Sequence, residues 1–166
     1  MNPCPCGFKG SPIKECVCKD LDIQRYERKI SGPIIDRIDM WVEVPHVPYE
    51  EFSNLNKKQS KTIDEAESKS KQFKDKVKNA RNKQQERYEK DILNAHLKAE
   101  DIEKHLGIEK DTETILLDYA KKFKLSPRSF NRMKKLARTI ADISNSDQIQ
   151  IPHILEAFQY RPKMRE

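Results

Sequence analysis

The chain has 166 residues, enough for one domain or two small ones, and its equal shares of charged and hydrophobic residues, 36% each, leave only a modest core. A net charge of +6 and a pI of about 9.1 suit a polyanion such as a nucleic acid, or a nucleotide phosphate at a protein interface, although many soluble proteins that bind neither are this basic. No apolar run reaches the roughly 18 residues of a membrane span and the N-terminus lacks the apolar core of a signal peptide, so a cytoplasmic protein is expected.

Residues 1–20 are dense in Pro and Gly and predict a loop whose order must come from something other than an apolar core. All four cysteines lie here, Cys4 and Cys6 as one C-x-C pair, Cys16 and Cys18 as another. In a reducing compartment such a cluster is more often a metal site than two disulfides, and four thiolates meet the tetrahedral preference of Zn2+. A single residue between paired ligands is short of the usual two to four, which makes it harder for both sulfurs to reach one ion; free thiols in a loop are the other reading. The C-x-x-C spacing of a redox thiol is missing.

Residues 21–30 place Ile23, Tyr26 and Ile30 three and four apart, predicting a short helix with one apolar stripe. Ser31, Gly32 and Pro33 then punctuate the backbone as a turn, and from Ile38 the pattern alternates. Ile38, Met40, Val42 and Val44 fall on one face and Asp39, Trp41 and Glu43 on the other, which predicts a strand over 38–44. This strand has no partner strand anywhere in the sequence, so it must pair with another chain or with a sheet outside these residues. Arg37 sits where the turn enters it, between Asp36 and Asp39. Those carboxylates either staple the turn through a salt bridge, the ordinary reading, or aim a functional guanidinium.

Pro45 and Pro48 end regular structure, and 49–60 reads as a linker rich in Asn, Lys and Ser, a domain boundary between 1–48 and 61–166. From 62 to 90 the sequence is highly charged, yet Ile63, Ala66, Phe73, Val77, Ala80 and Tyr88 recur at helical spacing, predicting one long helix with a narrow stripe. Its Lys and Arg residues either track phosphates or form a solvated face. A helix over 99–106 stops at Gly107, and Asp111 is placed to cap the next one, whose Ile115, Leu116, Tyr119 and Phe123 share a face. The sharpest helix start follows. Ser126 is the N-cap, Pro127 stands in the first turn and Leu125 can staple to Phe130, so Arg128 and Arg132 project from the first turns of a helix with the stripe Phe130, Met133, Ala137 and Ile140. A last helix starts at Pro152 and buries Ile154, Leu155, Phe158 and Tyr160. His46, His96, His105 and His153 share no close metal-ligand spacing and read as structural or exposed.

None of the four glycines opens a G-x-x-x-x-G-K phosphate loop, and no nucleophile elbow or paired-carboxylate constellation is present. Independent catalysis is not expected.

Five motifs in order, N-P-C-P-C-G (2–7), C-V-C (16–18), S-G-P-I-I-D-R-I-D (31–39), V-E-V-P (42–45) and A-R-T-I-A-D-I (137–143), resemble the C-terminal part of the magnesium-chelatase-like AAA+ ATPases, the bacterial ComM or YifB family. The resemblance runs through E-A-F-Q-Y-R at 156–161 and so covers essentially the whole chain. It implies a mainly α fold, a helical AAA+ lid bundle over 61–166, preceded in 1–48 by a cysteine-containing loop, a short helix and one strand that belong to an α/β AAA+ core. It also implies that the nucleotide-binding core lies before this region, and that Met1 is not the natural start. By the same resemblance Asn2 matches sensor 1, which orients the attacking water, and Arg37 matches the arginine finger that reaches the neighbouring subunit's site. Arg128, and after it Arg132, match sensor 2 of the lid, and Arg138 supports packing. ATP and Mg2+ are then cofactors of the intact protein only, with Zn2+ an addition from Cys4, Cys6, Cys16 and Cys18. The implied partners are the upstream core and neighbouring subunits of a homo-oligomer, a hexamer, with DNA as the substrate of branch migration during competence. The rival expectation is a free-standing zinc-stabilised nucleic-acid-binding module, and a third is an interaction domain with neither ligand, using the polar helix as a scaffold.

Overall fold

The computed structural model describes residues 1–45, 59–89 and 91–162, with side chains of the long helix described from Ser68 onward. The fold is mainly helical. Among the described residues there are seven α-helices: α1 (Asp20–Glu27), α2 (Gly32–Ile35), α3 (Gln59–Tyr88), α4 (Ala99–His105), α5 (Lys110–Lys122), α6 (Pro127–Ile143) and α7 (Ile151–Gln159), with a 3-10 turn at Asn94–His96. The expected linker over 49–60 lies outside the described residues up to 58, and Gln59 and Ser60 already belong to α3.

The bundle is built around α6. Ser126 caps it by accepting the Ser129 amide at 3.2 Å, and Pro127 occupies the first turn, where its missing N–H leaves nothing unsatisfied. Met133, Ala137, Ile140 and Ala141 recur at helical spacing and are buried, with Phe130 partly so. Against this face pack α3, the 3-10 turn, α4 and α7, while α5 packs on α7. Tyr119 and Phe123 of the α5 end lie 5.2 and 5.5 Å, centroid to centroid, from Phe158 of α7. Gly107 follows α4 at φ +58, the left-handed cap that glycine adopts without a Cβ penalty. Its carbonyl accepts the Ile149 amide at 3.0 Å, the tie beside the isolated Ile108–Ile149 bridge.

Several expectations are corrected. Residues 38–44 do not form a strand. Alternation gives a segment two faces but supplies no partner, and here the Trp41 amide bonds instead to the Tyr160 carbonyl at the end of α7, 2.8 Å away. Ser31, Gly32 and Pro33, read as a turn, instead cap and open one helical turn over Gly32–Ile35. Glu109, not Asp111, is the N-cap of α5, and Asp111 lies inside its first turn. Along α3 only the lower part of the stripe is buried, Ala80 and Tyr88 with Gln84 between them, whereas Phe73 and Val77 are 65% and 47% exposed. The Ile63 and Ala66 side chains lie outside the described residues. Leu155 faces outward, and Ala157 takes its place in the α7 core. His153 is structural, its Nδ1 accepting the Gln150 amide in a capping box at the start of α7.

Candidate functional site

The cysteine loop doubles back on itself. The Gly7 amide donates to the Cys4 carbonyl at 3.0 Å, and Gly7 sits at φ +83, a conformation open to glycine, so the chain reverses directly after Cys6. Cys4 is buried, and its sulfur lies 3.4 Å from that of Cys6 and 3.6 Å from that of Cys16, with Cys6 and Cys16 also 3.6 Å apart. All four sulfurs lie within 4.8 Å of one another. A tetrahedron with metal–sulfur bonds of about 2.3 Å has edges of about 3.8 Å, so the donor set fits one soft or borderline ion. The single intervening residue therefore does not keep the paired sulfurs apart. Crowding also spreads their titration. A backbone hydrogen bond from Phe8 lowers the Cys6 thiol to about 6, against the opposing effect of burial. At Cys18 a backbone hydrogen bond from Cys6 is outweighed by burial and by the neighbouring sulfurs, and the thiol is pushed up to about 12. Four thiolates this close repel, and a divalent cation removes that repulsion.

Arg37 projects from the end of α2 and is exposed. Its Nη1 donates to the Pro33 carbonyl at 2.7 Å, one turn back. Neither flanking carboxylate aims it, contrary to both sequence readings. Asp36 accepts from the Ser126 hydroxyl at 3.1 Å and the Ser129 hydroxyl at 2.9 Å, with the Arg161 guanidinium 3.9 Å away. Asp39 accepts from Arg132 Nη1, which also donates to the Arg37 carbonyl. Both carboxylates are thus turned toward the start of α6, at positions carried by the Ser126 cap and by the residues three and six places after it.

Of the two arginines in the first turns of α6, Arg132 is committed to that junction, while Arg128 is exposed and has no hydrogen bond or ion pair among the described residues. Arg138 is fully buried. It donates to the carbonyls of Leu106, Ser146 and Asp147 and to the carboxylate of Asp142. Asn2 is exposed, with its amide over Gly7, and no hydrogen bond or ion pair among the described residues joins it to Arg37 or Arg128. Sequence reasoning singled out Ser126 and the D-R-I-D motif but missed Ser129 and Arg161, whose partner lies ninety or more positions away in sequence; only the polar Ser129 beside the capping motif gave a local signal.

The family model described as magnesium chelatase, subunit ChlI C-terminal, matches residues 67–161, and the one described as magnesium chelatase, subunit ChlI, matches residues 1–52. Competence protein ComM of Haemophilus influenzae is 36% identical over 167 aligned residues, covering 99% of this chain and 30% of that protein. The uncharacterized YifB proteins of Salmonella typhimurium and Escherichia coli are each 36% identical over 97% of this chain and 29% of their own length. The chain therefore spans less than a third of the curated relatives it matches. Among the described residues no helix is long and apolar enough to cross a membrane.

Proposed function

The chain belongs to the magnesium-chelatase-like family that includes ComM and YifB, and on that premise we propose that it supplies the arginine finger and the sensor 2 lid of an AAA+ ATPase. Arg37 is the finger, acting on ATP in the neighbouring subunit of a homo-oligomeric ring; Arg128 contacts nucleotide in its own subunit, and Asn2 takes the sensor 1 position. The triphosphate and Mg2+ are held by residues outside this chain, which has no phosphate loop of its own. We place the work of hydrolysis on DNA, as branch migration by a cytoplasmic hexamer. The observation that carries this reading is that Arg37 and Arg128 are both exposed and have no carboxylate partner among the described residues, on two elements that hydrogen-bond to each other, while Arg132, Arg138 and Arg161 nearby are each paired. In the full-length protein, Arg128→Ala is expected to weaken ATP binding by about 10- to 100-fold, the worth of a hydrogen bond to a charged group, with hydrolysis falling in step. Equilibrium titration with a fluorescent ATP analogue reads the change, and unaltered affinity would remove Arg128 from the nucleotide site.

The cysteine loop we assign to one structural Zn2+ held by Cys4, Cys6, Cys16 and Cys18, with no open position for catalysis. Mass spectrometry under native conditions is expected to find one zinc per chain, lost in Cys4→Ser and released as the pH falls, because protons compete for the thiolates. Amide exchange across residues 1–18 should rise on chelation while the bundle around α6 keeps its protection, since no cysteine contributes to that core.

A second reading rests on an open groove between α3 and residues 91–96, lined by the exposed Phe73 and by Lys71, Lys74, Lys78, Arg81 and His96, with Asp75 and Asp91 also in its walls. Cations beside an exposed aromatic ring suit a single nucleic-acid strand. Salt-dependent DNA binding by this chain alone, lost in Phe73→Ala, would favour a binding module over a lid.

A further inference from the structure

Residues 36–41 have little of their own to hold them in place. They follow a single helical turn and run without a ladder, and Met40 and Val42 are 45% and 67% exposed. The position of Arg37 is therefore set by what this segment is tied to, and six of its ties run to the start of α6, its cap included, or to the residues just after α7. Asp36 receives two hydroxyl protons, from Ser126 and from the fully buried Ser129, and Arg132 bridges the Arg37 carbonyl and the Asp39 carboxylate. Arg161 faces Asp36, and the Trp41 amide bonds to the Tyr160 carbonyl. All of these but the backbone bond between Trp41 and Tyr160 involve an ionised group, and the Asp36 carboxylate lies at the positive end of the 17-residue α6, where the helix dipole favours an anion. The anchor itself is the best-buried helix of the bundle, fixed by Met133, Ala137 and Arg138.

We infer that Asp36, Ser129 and Arg132 are positioning residues that hold the Arg37 backbone against the first turns of α6, so that the helix bearing Arg128 also sets the reach of the finger. The inference rests on the finger reading given above. It makes the two exposed arginines parts of one body. Any displacement of α6 when nucleotide meets Arg128 then moves Arg37 as well. The clasp touches neither nucleotide nor reacting atoms, and acts through Arg37 alone.

The test uses the full-length protein, with steady-state ATP hydrolysis and nucleotide affinity measured separately. Asp36→Asn, Ser129→Ala and Arg132→Gln are each made alone and together with Arg37→Ala. Each single variant is expected to lower kcat by about 10- to 100-fold, the scale of an ångström-sized misplacement of a catalytic group, with affinity unchanged. Combined with Arg37→Ala, each is expected to cost nothing further, because the group it positions is gone. Losses that multiply in the double variants, or affinity that falls together with kcat, would overturn the clasp and make these residues part of the fold or of the nucleotide pocket. The three variants break the junction from different sides, so one that fails to fold leaves two. If Arg37→Ala abolishes turnover while all three clasp variants retain it, the clasp alone fails; if Arg37→Ala itself retains turnover, the finger reading fails and the clasp with it.

Discussion

Asp142→Ala is expected to destabilise the bundle by about 3–5 kcal/mol, the cost of removing one partner from a buried ion pair. The Asp142 side chain is fully buried and accepts from two guanidinium groups and an amide. Arg87 donates at 3.1 and 2.5 Å, Arg138 Nε at 3.1 Å and Asn94 Nδ2 at 2.8 Å. Arg138 is itself fully buried, and burial draws its pKa below the ordinary arginine value even with Asp142 alongside. Without Asp142 the Arg138 cation stays inside with only the dipoles of three carbonyls for company, and Asn94 and Arg87 lose an acceptor. The network also ties distant elements: the Asn94 Oδ1 accepts the Tyr88 hydroxyl at 2.5 Å, the Asn94 backbone N–H donates to Gln84 Oε1, and so α3, the 3-10 turn and α6 share one set of bonds. Urea unfolding should therefore show a lowered midpoint for the transition that includes α3. Replacing both partners, Arg138→Met with Asp142→Leu, is expected to lose less than Asp142→Ala alone, because no charge is stranded. The recovery is incomplete, since Arg138 also satisfies the carbonyls of Leu106, Ser146 and Asp147. A loss below about 1 kcal/mol in Asp142→Ala would place the pair in effective contact with water.

The same helix shows what sequence can and cannot disclose. Ser126 and Pro127 announce the start of α6, and the spacing of Met133, Ala137 and Ile140 announces its buried face, because both signals are local and depend on 3.6-residue geometry alone. Arg138 and Asp142 sit four apart in the A-R-T-I-A-D-I motif, a spacing as common on solvated faces; only the arrival of α3 and of residues 94 and 106 turns it into a buried pair. Phe73 and Val77 fail in the opposite sense. Their periodicity continues that of Ala80 and Tyr88, yet periodicity does not reveal where a partner surface ends. At residues 38–44 the alternation was legible but the pairing was not, for a strand exists only through bonds made by another segment. The two C-x-C pairs named the four clustered thiols, and the approach of their sulfurs to within 4.8 Å depends on backbone reversals at Gly7 and Gly10 that spacing statistics do not include. At the candidate site, D-R-I-D drew attention to Arg37 for its carboxylate neighbours, and those carboxylates hold α6 instead.

Arg37→Ala is expected to lower ATP hydrolysis by the full-length protein by about 10³- to 10⁵-fold, the worth of an arginine finger in nucleotide hydrolases, while leaving ATP affinity nearly unchanged. The asymmetry follows from where the charge develops: a guanidinium supplied by a neighbouring subunit meets negative charge that builds on the γ-phosphoryl oxygens in the transition state, and contributes little to the ground state. Lysine should not substitute, since a point charge on a flexible stem lacks the planar fork that meets two oxygens at once. A stability measurement separates this outcome from that of an ordinary structural arginine. Arg37 is exposed and its guanidinium bonds only to the Pro33 carbonyl among the described residues, so its removal should change unfolding free energy by no more than about 0.5 kcal/mol. A structural arginine would reverse the pattern, with stability lost and turnover falling only as folded protein is lost. Mixing subunits gives the sharper form of the test. On the reading proposed above, in which the phosphate loop lies outside this chain, Arg37→Ala subunits keep that loop, so combined with subunits that have an intact finger but a disabled loop, they should recover hydrolysis at each interface where the functional loop faces the functional finger. A finger acting within its own subunit would recover none, because no single subunit in that mixture carries both parts.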